Sequence, residues 1–102
     1  MTLEVLHIED CPNWQEAGVR ASNALLALGR PDVGVEYRLV STPDDAELTG
    51  FAGSPTLTLD GKDIFLSDGR TADLACRIYF TSHGLAGLPT EEQIAEALRT
   101  VL

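Results

Sequence analysis

The stretch Leu3-Glu4-Val5-Leu6-His7-Ile8-Glu9-Asp10-Cys11-Pro12-Asn13-Trp14 sets the reading of the whole chain. Leu3 to Ile8 is short and mostly apolar, the pattern of a buried strand. Pro12 suits the first position of a helix, where its missing N–H removes no helical bond. From there Trp14, Ala17, Ala21, Leu25 and Leu28 recur at helical spacing, until Gly29 and Pro31 stop the run. The stretch therefore predicts a strand that hands over to a helix with a thiol at the junction.

Working outward, residues 33–40 alternate as a second strand. A short helix is expected after Ser41 or Thr42, because Pro43-Asp44-Asp45 supplies a first-turn proline and acids that suit the helix dipole. Thr56-Leu57-Thr58-Leu59 and Lys62-Asp63-Ile64-Phe65 flank Asp60-Gly61, a two-residue hairpin turn. Residues 66–75 read as a polar loop, and Cys76-Arg77-Ile78-Tyr79-Phe80 as either a helical turn or a short strand. Thr90-Glu91-Glu92-Gln93 is a capping box that leads into the apolar stripe Ile94, Ala97, Leu98, Val101 and Leu102. The order β-α-β-α-β-β-α predicts an α/β fold, a four-stranded mixed sheet with helices on both faces and a right-handed first crossover. At 102 residues a single domain, 1–102, is expected.

With 44% hydrophobic residues the composition is that of a globular chain. The longest apolar run, Ala24–Leu28, is far shorter than the ~20 residues of a bilayer span. Met1-Thr2-Leu3-Glu4-Val5 reads as a strand and not as a cationic leader, so a cytoplasmic protein without a membrane partner is expected. Sixteen acidic against seven basic residues give a net charge of −9. Such a surface repels phosphate backbones, which argues against nucleic acid and anionic lipid. The charge reads as solubility, and Asp44-Asp45-Glu47 as a solvated helix start. No glycine-rich phosphate loop, serine nucleophile elbow or paired-carboxylate signature occurs, and no cofactor is expected. Cys11 and Cys76 are too few for a disulfide scaffold and form no zinc pattern, so their interest is chemical.

Cys11-Pro12-Asn13-Trp14, Gly53-Ser54-Pro55-Thr56 and the Asp60-Gly61 hairpin, in this element order, resemble the thioredoxin-like superfamily. The segment from Ala75 through Gly84, Gly87 and Pro89-Thr90 is similar to that of small bacterial thioredoxin-like proteins, some associated by name with organomercurial or thiol chemistry. The resemblance implies that Cys11 matches the family's nucleophilic cysteine and Pro55 its cis-proline. Trp14 stands where the second cysteine of Cys-x-x-Cys would be. It further implies a groove in which the backbone of Ser54 pairs with an extended peptide, with Pro12 and Trp14 beside it. The partner implied is a protein or small-molecule thiol or disulfide.

A thiol at a helix N-terminus sees unpaired N–H groups and the positive end of the dipole, which favour thiolate. Glu9 and Asp10 act the other way, so a modestly lowered pKa is expected. The plainer reading of Cys11 is a small buried helix-start residue. Pro55 is also explained by the frequency of proline before strands. Trp14 shields the thiol, floors a binding groove, or is a core or half-buried aromatic on the helix face of Ala17 and Ala21. Cys76 is either the resolving cysteine for Cys11, in place of the one missing at position 14, or a buried cysteine among Leu74, Ile78 and Phe80. His7 reads as a satisfied core histidine, while His83 sits in the turn-like Ser82-His83-Gly84. Three functions stay open: thiol–disulfide exchange through Cys11 and Cys76, a binding module without redox chemistry, and soft-metal binding by the two cysteines.

Overall fold

The computed structural model describes residues 1–9, 11–49, 51–65 and 77–102. Asp10, Cys76 and the polar loop expected at 66–75 lie outside the described residues. β1 (Thr2–His7) pairs parallel with β2 (Gly34–Leu39) on one side and antiparallel with β3 (Thr56–Leu59) on the other. β4 (Lys62–Asp63) completes a mixed sheet of order β2-β1-β3-β4. Two parallel neighbours need a long crossover, and the fourteen residues of α1 (Trp14–Ala27) supply it. With α2 (Pro43–Thr49) and α3 (Glu91–Val101), the described chain is α/β with three helices. No helix among the described residues is long and apolar enough to cross a membrane.

Strand alternation sorts the interior into two clusters. Leu3 and Val5 lie opposite Leu59 and Leu57 in the β1–β3 register, so all four share one face. There they pack with Ala17, Ala21, Ala24 and Leu25 of α1 and with Ile94 and Leu98 of α3. The alanines keep α1 close to the sheet, and fully burying each leucine or isoleucine stabilises by about 1.5–3 kcal/mol. Leu6 turns to the opposite face and joins Ile8, Cys11, Val40, Ala46 of α2 and Phe51. Cys11 thus belongs to the smaller cluster, walled by residues distant in sequence.

Local chemistry explains most boundaries. Gly29, at φ 72°, ends α1: its N–H donates to Leu26 O and that of Arg30 to Leu25 O, the paired bonds of a Schellman stop. Asp60 and Gly61 both take positive φ, 52° and 86°, as a tight hairpin turn requires. Thr90 accepts from the N–H of Gln93, whose side chain accepts from the N–H of Thr90, so the capping box is closed. β4 is shorter than the expected 62–65, although Ile64 N–H still donates to Leu57 O at 3.0 Å; the N–H of Phe65, which faces away from β3 in this register, is taken by Asp63 Oδ1 at 3.0 Å.

One expectation is corrected and one open reading is decided. Pro12 is not at the first helical position: Asn13 is the cap, and the first helical bond runs from Ala17 N–H to Asn13 O. Cys11 and Pro12 instead form the turn that leads to the helix. Of the residues left open between a helical turn and a short strand, Tyr79 and Phe80 are strand: β5 (Tyr79–Thr81) pairs with β6 (Gly84–Ala86) in a separate two-stranded sheet. Its turn is closed by Thr81, whose Oγ1 accepts from His83 N–H and donates to Gly84 O, with Gly84 at φ 101°.

Replacing Thr90 with alanine removes one half of the capping box. Stability should fall by about 1 kcal/mol, seen as a lower urea midpoint at unchanged slope. An unchanged midpoint would mean that Gln93 alone caps α3.

Candidate functional site

Cys11 sits on the turn between β1 and α1, its N–H 3.5 Å from Ile8 O, and its side chain is fully buried. Its Sγ–H points at the carbonyl of Ser54, 3.6 Å away. Ser54 is also fully buried, and its Oγ accepts the N–H of Ile8 at 3.1 Å, which ties the end of β1 to the turn before β3. The Ser54–Pro55 peptide bond is cis. Thr56 Oγ1 donates to Gly53 O and accepts from Ala52 N–H at 3.0 Å, closing the turn on itself. Cys11 stands two residues before the cap Asn13, outside the first helical turn expected for it.

The Ser54 carbonyl has a second donor. The backbone N–H of Arg77 reaches it at 2.8 Å, so the position expected to pair with an extended peptide is taken by the chain itself. Arg77 approaches because Gly53 has no side chain. A Cβ there would lie 2.7 Å from Arg77 Cβ and 2.9 Å from its Cα, and Gly53 has φ 109°. The Arg77 guanidinium pairs with Asp63 at 2.9 Å and lies over the Tyr79 ring, 4.8 Å from its centroid. Tyr79 Oη in turn donates to Pro55 O. Burial pushes the Asp63 carboxyl above its ordinary value, against the opposing pull of the Phe65 N–H and of Arg77. Burial also raises Tyr79, which keeps its hydroxyl protonated as a donor.

The predicted site residues separate into groups. Cys11, Ser54 and Pro55 belong to one arrangement, while Pro12 is exposed on the turn beside Cys11. Trp14 packs against the larger cluster: its ring stacks on His7 at 4.3 Å and meets Tyr37 edge-on at 5.1 Å. His7 is buried by that stack, and His83 is exposed in the β5–β6 turn. Cys76 lies outside the described residues; its chain neighbour Arg77 is the residue bonded to Ser54 O. Ile78 and Phe80, named beside Cys76 in the plainer reading, are 64% and 80% exposed. Arg77 and Tyr79 take the inward positions, because their polar ends find Asp63 and the backbone carbonyl of Pro55. Arg77, Asp63 and Tyr79 were missed as site residues; the alternation of Arg77 and Tyr79 with Ile78 and Phe80 was the available signal. Among the described residues, no group of three or more His, Cys, Asp or Glu side chains comes together to hold a metal ion.

Comparison of the chain with models of protein families, with curated proteins and with solved structures gives no match.

Two outcomes follow. Gly53→Ala combines an unfavourable φ with a collision against Arg77, so it should destabilise by more than about 1 kcal/mol in urea melts; a neutral result would mean that the turn relaxes freely. Asp63 holds its proton to higher pH in the folded chain than in the unfolded one. Its contribution to stability is therefore complete below pH 3.8 and is lost as pH rises through the folded value. Relative to Asp63→Asn, the wild type should lose stability as pH is raised from about 3.8, measured as urea midpoints across a pH series. The opposite slope would show that pairing with Arg77 outweighs burial.

Proposed function

We propose that the chain is a thioredoxin-like, cytoplasmic thiol–disulfide exchange protein in which Cys11 is the nucleophile and Cys76 resolves the mixed disulfide. The observation that carries this reading is the shared carbonyl of Ser54: it accepts the thiol of Cys11 and the amide of Arg77, the residue directly after Cys76. The sheet order β2-β1-β3-β4, with the cysteine turn after β1 and the Ser54–Pro55 turn before β3, supports the fold resemblance. Pro12, exposed beside Cys11, is the surface that a partner meets first.

In the proposed reaction Cys11 loses its proton and attacks one sulfur of a partner disulfide. The partner's S–S bond breaks as the Cys11–sulfur bond forms, and the departing thiolate takes up a proton. The Cys76 thiolate then attacks Cys11 Sγ, forming the Cys11–Cys76 bond and releasing the partner's second sulfur, which is protonated in turn. The partner gains two electrons and the two cysteines lose them; a thiol reductant restores the starting state.

Peptide mapping without reductant, after mild oxidation, tests the reading. A Cys11–Cys76 cross-link is expected, and it should vanish in Cys11→Ser; two cysteines that both remain alkylatable after oxidation would overturn it. The complete burial of Cys11 favours a second reading, a binding module with a thioredoxin-like groove and no redox cycle. The pH dependence of Cys11 alkylation separates the two. A midpoint near the ordinary ~8.5 supports the binding module, and a clearly lower one supports exchange.

A further inference from the structure

The backbone of Arg77 and the hydroxyl of Tyr79 occupy the two carbonyls that flank the Ser54–Pro55 bond. We infer that residues 77–79 form an internal strap over the Cys11 turn, holding the place an extended partner segment would take, and that Cys11 reacts from a state in which this strap has locally lifted. The inference rests on the thiol reading above and adds to it how the thiol becomes reachable.

Three fasteners hold the strap. They are the Arg77 N–H on Ser54 O at 2.8 Å, the Tyr79 hydroxyl on Pro55 O, and the Arg77–Asp63 ion pair at 2.9 Å. These three are polar, and polar contacts exchange for bonds to water with a modest net gain; the apolar hold is the Tyr79 ring, buried edge-on against Phe65 at 5.3 Å. The outer face of the same segment carries Ile78 and Phe80 into solvent, so apolar burial does not secure it from that side. Beyond Tyr79 the chain continues into a sheet of only two strands, a unit of low stability by itself. Lifting breaks the contacts of Arg77 and Tyr79 but leaves the α1–α3 core intact, and such local opening costs less free energy than unfolding the whole fold. Cys11, by contrast, is fully buried and bonded to the carbonyl the strap covers. When Arg77 leaves Ser54 O, that acceptor becomes available to the N–H of an extended partner at the position next to the thiol. An exposed thiol is thereby coupled to an open docking position, and the closed state protects the sulfur from adventitious oxidants.

The test is the rate at which iodoacetamide labels Cys11 in the reduced, folded protein, read by mass spectrometry of its peptide across urea concentrations below the unfolding transition. A lifting strap gives a wild-type rate that depends only weakly on urea. Tyr79→Phe removes one fastener and should raise the rate about five-fold, the change in opening constant that one neutral hydrogen bond supplies. Ile94→Val, which loosens the α1–α3 core to a similar degree, should leave it unchanged. The strap is overturned if wild-type labelling follows global unfolding in its urea dependence, if Ile94→Val accelerates labelling as much as Tyr79→Phe, or if Tyr79→Phe has no effect. Labelling reports exposure whether or not Cys11 exchanges with disulfides. Shallow labelling without a Cys11–Cys76 link therefore counts against the redox reading alone. A cross-link in a protein whose labelling follows global unfolding counts against the strap alone.

Discussion

The carbonyl oxygen of Ser54 is the point on which this structure turns. It receives the thiol of Cys11 from the β1–α1 connection and the amide of Arg77 from the segment before β5. The Ser54 hydroxyl binds the N–H of Ile8, so one residue links three parts of the chain. Ser54 is fully buried, and a buried peptide oxygen left without a donor is costly. The fold therefore supplies two donors, one from each of the segments that meet at this turn.

The two faces of the sheet are held by different means. Over the face of Leu3, Val5, Leu57 and Leu59 the interior is aliphatic, built from α1 and α3, and its stability comes from area removed from water. The opposite face combines a small apolar cluster around Phe51 with a polar layer of Arg77, Asp63 and Tyr79. A buried ion pair offsets its own desolvation only while both partners are in place. The first face is consequently suited to permanence and the second to change, and the cysteine lies with the second.

Much of the architecture was legible because it depends on chemistry within a few residues. The β1 pattern, the Asp60-Gly61 turn, the Gly29 stop and the Thr90–Gln93 box each carry their own partners, and each stands where the sequence places it. The β5–β6 hairpin was not read. Its turn chemistry at Thr81 and Gly84 is local, but apolar Ile78 and Phe80 argued for burial and concealed the alternation. Their outward direction is decided by Asp63, Gly53 and Pro55, none of them within thirteen residues of Arg77. The burial of Cys11 was hidden for the same reason. Val40, Ala46 and Phe51 close around it, and they follow it by some thirty residues or more. Pro12 and Asn13 were misplaced by a smaller margin, since a proline in the approach to a helix and one in its first turn look alike without coordinates.

The brevity of β4 has a bearing on how the molecule behaves in company. Among the described residues only Lys62 and Asp63 form that margin of the sheet, and Asp63 Oδ1 takes the outward-facing N–H of Phe65. A neighbouring chain that tried to add a strand there would find little ladder to copy and a lysine in its path. Runaway lateral growth into fibrils is thus discouraged on that flank by the same aspartate that anchors Arg77.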